Sequence, residues 1–202
     1  MIENKIILAS ASPRRRDILR QFGYEPEVVV SEFDEHLIHE ENPYELVKKL
    51  SYGKANAVRK HAEAGDIIIG SDTIVVVDGE IYGKPKDEQD AYRMIRSISG
   101  RSHEVCTGVT VILCKKEKDA HETFCDATEV YVEAMSDEQI WEYIQTKEPM
   151  DKAGAYAIQG RFGRYVQSIN GDVYTVIGLT GSRTIDAMER LTEKDVSRET
   201  KI

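Results

Sequence analysis

The residue types best able to do chemistry gather around Asp72. It stands between Ile67-Ile68-Ile69 and Ile74-Val75-Val76-Val77, β-branched runs of the kind that fill buried strands, with Gly70, Ser71, Asp72 and Thr73 expected to interrupt them. An ionised carboxylate is costly to bury unless a cation, a metal or several donors face it, so something cationic is expected opposite. Asp78-Gly79 reads as a tight turn, and Glu80-Ile81-Tyr82 as an antiparallel return toward Gly83-Lys84-Pro85 that would bring Lys84 alongside Asp72. A carboxylate in an apolar sheet beside a lysine is the candidate centre of chemistry. The plainer reading is a buried ion pair with no task.

A second set of groups suits an anion. Ile6-Ile7-Leu8 reads as a short buried strand, followed by the small residues Ala9 to Ser12 and a helix opening at Pro13-Arg14-Arg15-Arg16, with Ser12 as N-cap and Gly23 just past the end. Backbone N–H groups at such a start, with Arg14 and Arg15 as forked donors, suit phosphate. Three arginines there oppose the helix dipole unless an anion compensates. The spacing is not that of a Walker A loop. Ser31-Glu32-Phe33-Asp34-Glu35 follows the strand-like Val28-Val29-Val30 and offers oxygen ligands for Mg²⁺, although an acidic loop is the commoner meaning of such a cluster. Lys54 starts on the apolar face of a helix expected from Pro43 to about His61, with Val47, Leu50, Ala57 and Val58 inward, and either snorkels to solvent or reaches an anion.

These groups need a scaffold, and the composition supports one. The 202 residues suit one domain or two joined lobes, and 41% hydrophobic with 31% charged residues is the balance of a soluble globular protein. A formal net charge of −9 disfavours a nucleic-acid or anionic-membrane binder. Cys106, Cys114 and Cys125 lack metal-ligand spacing and read as buried free thiols of a reducing compartment. The first residues do not look like a signal peptide and no apolar run reaches a membrane span, so a cytoplasmic location is expected.

Further along, Asp87 to Ser99 reads as a helix with Ala91, Met94, Ile95 and Ile98 inward, and Gly100 ends it. Val105 to Leu113 and Thr123 to Val132 are strand-like, and Ser136 with Gln139 forms a capping-box pattern for a helix through Thr146. Glu148 to Gly160 has no periodicity and suits a site loop. Val166–Ile169 and Val173–Ile177 are expected to pair across Asn170-Gly171, before a closing helix from Thr184 to Leu191. The charged stretch from Thr192 to Ile202 is expected to fray, leaving residues 1–191 as the domain.

Four motifs in order, Ser10-x-Ser12-Pro13-Arg14-Arg15, Ser71-Asp72-Thr73, Gly83-Lys84-Pro85 and Asp151-Lys152-Ala153-Gly154-Ala155-Tyr156-x-Ile158-Gln159-Gly160, make the chain resemble the Maf family from about Ile6 to Leu191. Its members are the house-cleaning nucleoside triphosphate pyrophosphatases also described as septum formation inhibitors. The resemblance implies a single α/β domain with a long twisted mixed sheet flanked by helices, and two lobes around a cleft. It also implies hydrolysis between the α- and β-phosphates of a nucleotide with a divalent cation, Mg²⁺ or Mn²⁺. On the family pattern Asp72 is catalytic, Arg14, Arg15, Lys54 and Lys84 bind phosphate, Ser10 lines the cleft, and Glu35 joins Asp72 at the metal. Arg14, Thr73 and Gln159 match the branch that takes dTTP and UTP. The chain departs from the pattern at Ser71, Ala157 and Thr180, where alanine, glycine and proline are usual.

The residues themselves agree with that chemistry. Releasing pyrophosphate needs positive charge over the departing phosphates, a positioned water and a base or metal-holding carboxylate, for which Asp72 is placed in either role. The Gln159 amide offers one donor and one acceptor, which matches O4 and N3–H of uracil or thymine. The expected partner is a nucleoside triphosphate, with no nucleic acid or membrane, and a homodimer is left open. The alternatives are a non-catalytic nucleotide-binding regulator of cell division and an NTPase that releases orthophosphate.

Overall fold

The computed structural model describes residues 4–199, and the side chains of 4–193. Among the described residues the strands are β1 (Ile6–Leu8), β2 (Glu27–Val28), β3 (Ile67–Val77), β4 (Glu80–Tyr82), β5 (Ser102–Leu113), β6 (Ala120–Val132) and β7 (Val166–Asn170). They form one seven-stranded sheet in the order β2-β1-β3-β5-β6-β7, with β4 on β3. The sheet is mixed: β1 runs parallel to β2 and β3, while the β3–β4 and β6–β7 pairs are antiparallel. The helices are α1 (Pro13–Gln21), α2 (Pro43–Ala57), α3 (Glu88–Ile98), α4 (Asp137–Gln145), α5 (Val173–Ile177) and α6 (Gly181–Glu199). None of the described helices is long and apolar enough to cross a membrane.

The chain divides into two compact units. The first comprises the residues up to Asp72, Gly108–Cys125 and those from Gly178 on; the second comprises Thr73–Thr107 and Asp126–Ile177. Strands β3, β5 and β6 each pass from one unit into the other. The first unit has a core patch of Ile7, Ala9, Ala55, Val58, Ile68, Ile112 and Cys114. The second has a larger one in which Val75, Ile95, Ile98, Val130, Ile140 and Phe162 are buried together. Each such side chain removed from water contributes about 1.5–3 kcal/mol, so these patches fix the strands that carry the polar residues.

Local signals explain most boundaries. Asp87 accepts from the N–H of Asp90 to open α3, whose buried residues are Ala91, Met94, Ile95 and Ile98. Ser136 and Gln139 close a full capping box at α4. Asp78 and Gly79 turn with φ of 51° and 83°, as a tight hairpin requires, and set Val77 opposite Glu80.

Several expectations are corrected. Gly70 to Thr73 do not interrupt a strand: β3 runs unbroken through them, because sheet pairing and helix cover outweigh weak local strand preference. Val28-Val29-Val30 yields only a two-residue edge strand, and Val28 and Val30 are exposed at 41% and 59%. In α2 the inward residues are Val47, Leu50, Ser51 and Ala55, with Ala57 only half-buried, and Arg59–His61 forms a separate 3₁₀ turn. Cys106 and Cys114 are buried free thiols, whereas Cys125 is half-buried. The expected Val166–Ile169 to Val173–Ile177 hairpin does not form. Strand β7 pairs with β6, and Val173–Ile177 is helical because the Asp172 side chain and carbonyl take the N–H groups of Tyr174 and Thr175. Helix α6 begins at Gly181, where Thr184 is bonded back to Thr180, and runs past Leu191 to Glu199. The last three residues of the expected charged tail lie outside the described residues.

Candidate active site

Asp72 is placed by a close fit of helix to strand. A Cβ added at Gly70 would strike the Ser51 carbonyl oxygen and approach Ala55 N to 2.7 Å, and one added at Gly108 would strike the Val47 carbonyl. Helix α2 therefore lies against β3 and β5 at two glycines, closer than any side chain would allow. Residues 70 and 72 share a strand face, because side chains alternate. Lys54, one turn along from Ser51, comes down on Asp72 and forms an ion pair with it. The same ammonium binds Glu35 Oε1 at 2.8 Å. The cation observed facing the buried carboxylate is thus Lys54.

Asp72 is 8% exposed. Burial raises its pKa above the usual carboxylate range, against the lowering pull of Lys54 and Arg15. A carboxyl shifted upward is a stronger base than a free one, a property suited to accepting a proton from water. Glu35 lies in the 3₁₀ turn Glu35–Leu37, which Asp34 caps by accepting from His36 N at 3.0 Å. The turn is seated by Phe33, whose ring packs where a Cβ at Gly53 would approach within 2.6 Å. Phe33 and Gly53 are thus the unanticipated supports of the Glu35–Lys54 pair.

Strand β1 delivers Ser10 to the start of α1. Its hydroxyl accepts from Ser12 N at 3.2 Å and from an Arg15 terminal nitrogen at 3.1 Å. Ser12 itself stands at the N-cap without a side-chain cap bond. Arg15 further donates to the carbonyls of Ser71 and Gly178, each at 2.8 Å. Its guanidinium is desolvated, which lowers its pKa, and it ties α1 to β3 and to the approach to α6. Its Nε and one terminal nitrogen thus already engage protein oxygens. Arg14 is half-buried beside it. Ser71, the departure before the aspartate, donates its hydroxyl to the Gly178 carbonyl at 2.8 Å, so it adds a tie at the point that Arg15 also binds.

The remaining candidates belong to the second unit. Thr73 pairs its hydroxyl with that of Thr107 at 2.9 Å, and Thr107 bonds the Thr175 carbonyl at 2.7 Å. Lys84 is exposed, two residues beyond β4. The preceding Gly83 carbonyl accepts from Gly154 N at 3.0 Å, so the Gly83-Lys84-Pro85 and Asp151 to Gly160 motifs meet there. Gly154, at φ 65°, fits against Val75, where a Cβ would come within 2.6 Å of its side chain. Gln159 is exposed in a turn closed by Gly160 N to the Ala157 carbonyl at 3.0 Å. Within this unit His103 Nε2 meets the Tyr156 hydroxyl at 2.7 Å, and burial lowers the His103 pKa to about 4.

Two carboxylate oxygens, of Asp72 and Glu35, converge on one positive group, the Lys54 ammonium. Among the described residues no group of three or more His, Cys, Asp or Glu is arranged to hold a metal. That donor set fits a hard divalent cation of the Mg²⁺ kind, which takes one or two carboxylates and completes its shell with substrate phosphates and water.

Residues 5–191 match the family model described as Maf-like protein. The chain is 49% identical over 184 residues to a protein of Symbiobacterium thermophilum named dTTP/UTP pyrophosphatase, with 91% of this chain and 92% of that one covered. It is 46% identical over 187 residues to a protein of the same name from Lachnoclostridium phytofermentans, covering 92% and 94%. A third protein so named, from Bacillus velezensis, is 44% identical over 191 residues, covering 94% and 98%. Among solved structures, a nucleoside-triphosphatase or dITP/XTP pyrophosphatase from Mycobacterium abscessus gives a TM-score of 0.43 at 12% identity over 95% of this chain and 97% of that one.

Proposed function

The chain belongs to the Maf-like family, and we propose that it hydrolyses dTTP and UTP to the monophosphate and pyrophosphate. The observation that carries the mechanism is the buried Asp72 held under Lys54 with Glu35 on the same ammonium. In this reading Asp72 orients the attacking water and accepts its proton, a task that its raised pKa favours. Asp72 and Glu35 are also the residues that would hold a divalent cation, Mg²⁺ or Mn²⁺. Such a cation, when bound, neutralises charge on the phosphate oxygens. Lys54, Arg14 and Lys84 spread positive charge over the departing pyrophosphate, with the α1 N-terminus adding its backbone donors. Arg15 contributes charge and keeps Ser10 in place. Gln159, with Thr73, selects the base, its amide matching O4 and N3–H of uracil and thymine.

A pure binding site for an anion gains nothing from a carboxylate beside it, which supports turnover over a silent regulator. The test is a panel of nucleoside triphosphates with Mg²⁺ or Mn²⁺, with pyrophosphate and orthophosphate read separately. Pyrophosphate from dTTP and UTP, lost in Asp72→Asn, is the expected result. Orthophosphate as first product, or full turnover by Asp72→Asn, overturns the proposal.

A further inference from the structure

The turn that presents Gln159 is held at its Gly160 end by the Glu148 side chain, which is itself bonded to Tyr143, and no motif contains either residue. Helix α4 ends at Gln145 with Thr146 as its C-cap, Lys147 adopts φ 62°, and Glu148 follows at once, so the helix terminus aims Glu148 directly. Glu148 Oε1 accepts the Tyr143 hydroxyl at 3.1 Å, and Oε2 accepts the Arg161 N–H at 3.1 Å. The carboxylate crosses beneath Gly160 so closely that an added Cβ would strike Oε1 and stand 2.9 Å from Oε2. Ala157 and Gly160 are the two ends of the turn, and Ile158 and Gln159 its centre. Tyr143 is itself fixed, being 3% exposed with its ring 5.2 Å from that of the fully buried Phe162.

We propose that Tyr143 and Glu148 are positioning residues for base selection, a bracket from α4 that sets the orientation of Gln159. This rests on the reading of Gln159 as the group that selects the base. The bracket is specific in its polarity: it offers carboxylate oxygens to one hydroxyl and one N–H, and an amide in its place presents a donor to one of them. Gly160 is required by the same geometry, since only a residue without a side chain lets the carboxylate pass. Free rotation of the turn would leave the phosphate chemistry intact and blur the distinction between uracil and cytosine, whose N3 and position 4 have reversed donors and acceptors.

The experiment measures kcat/KM for UTP and CTP, and their ratio, in Glu148→Gln, Gly160→Ala, Tyr143→Phe and Gln159→Ala. The bracket predicts that Glu148→Gln and Gly160→Ala lower the UTP to CTP ratio roughly tenfold, with Tyr143→Phe less affected. A ratio unchanged in Glu148→Gln and Gly160→Ala, with only the melting temperature reduced, overturns it while Gln159→Ala still relaxes selection. A ratio unchanged in Gln159→Ala overturns the reading of Gln159 itself. Tyr143→Phe deletes a single oxygen, so it carries the same test should the other two variants not fold; an unchanged ratio there then counts against the bracket.

Discussion

Asp72 and Gln159 are held by opposite means. Asp72 is buried in mid-strand and surrounded by formal charges on Lys54, Glu35 and Arg15, which its neighbours position through backbone and glycine contacts. Gln159 is exposed on a turn, and what holds that turn is the Glu148 carboxylate, bonded to the Arg161 N–H just after it and to the Tyr143 phenol. The first arrangement suits a reaction common to every nucleotide, because all share the same triphosphate. The second suits discrimination, because a small change in turn geometry alters which hydrogen bonds a base can form. On the proposed reading, charge placed by the scaffold serves rate, and a neutral amide held by a bracket serves choice.

The contrast can be broken most severely at Lys54. Lys54→Met is expected to reduce pyrophosphate release about a hundredfold or more for UTP and CTP alike, leaving their ratio unchanged. A selective loss for one base would merge the two regions into one function. A smaller effect, about tenfold, is expected from Gly53→Ala, which displaces the Phe33 ring and with it the turn bearing Glu35. The divalent-cation concentration needed for half-maximal rate should rise, although alanine is the better helix former by about 1 kcal/mol. Unaltered cation dependence would separate Phe33 from the site.

Two pH measurements sharpen the comparison further. His103 is buried with a pKa lowered to about 4 from 6.5, so the folded state binds its proton less readily than the unfolded chain. Its stabilising contribution is complete above pH 6.5 and is lost as pH falls toward 4, up to about 3 kcal/mol. Thermal unfolding of His103→Gln should show a flatter acid limb than the parent over that window, with no difference in slope above pH 7. Asp72 has the opposite sign, because its folded pKa is raised above 3.8. The cost of keeping it ionised appears as pH rises through that folded pKa and is absent below 3.8. Asp72→Asn should therefore melt slightly higher than the parent at neutral pH, with the gap closing in acid. A lower melting temperature at neutral pH would make the Lys54 pair a stabilising one.

Much of this was legible in the sequence where local chemistry and periodicity agree. The caps at Asp87 and Ser136, the Asp78-Gly79 turn and the inward face of α3 need no tertiary information. Asp72 itself was legible as a charge among β-branched residues, together with the need for a cation opposite. Which lysine answered that need was not, because Lys54 reaches Asp72 through a helix-on-strand fit that depends on Gly70 and Gly108 meeting α2. Val173–Ile177 misled because β-branched composition speaks for a strand, while one aspartate at position 172 captures the N–H groups that start a helix. Phe33, Tyr143 and Glu148 carried no signal of role, since each acts by supporting another residue. Gly70, two residues before a buried acid, and Gly160, directly after Gln159, were the available hints.

The two glycines under α2 make the Lys54 position a property of backbone rather than of packing. In a core of interlocking side chains, each neutral substitution nudges its neighbours, and such nudges accumulate over generations. At Gly70 and Gly108 the helix instead meets β3 and β5 main chain to main chain. A side chain at either glycine would lift α2 and carry Lys54 away from Asp72, so two residues without side chains set the spacing of that ion pair.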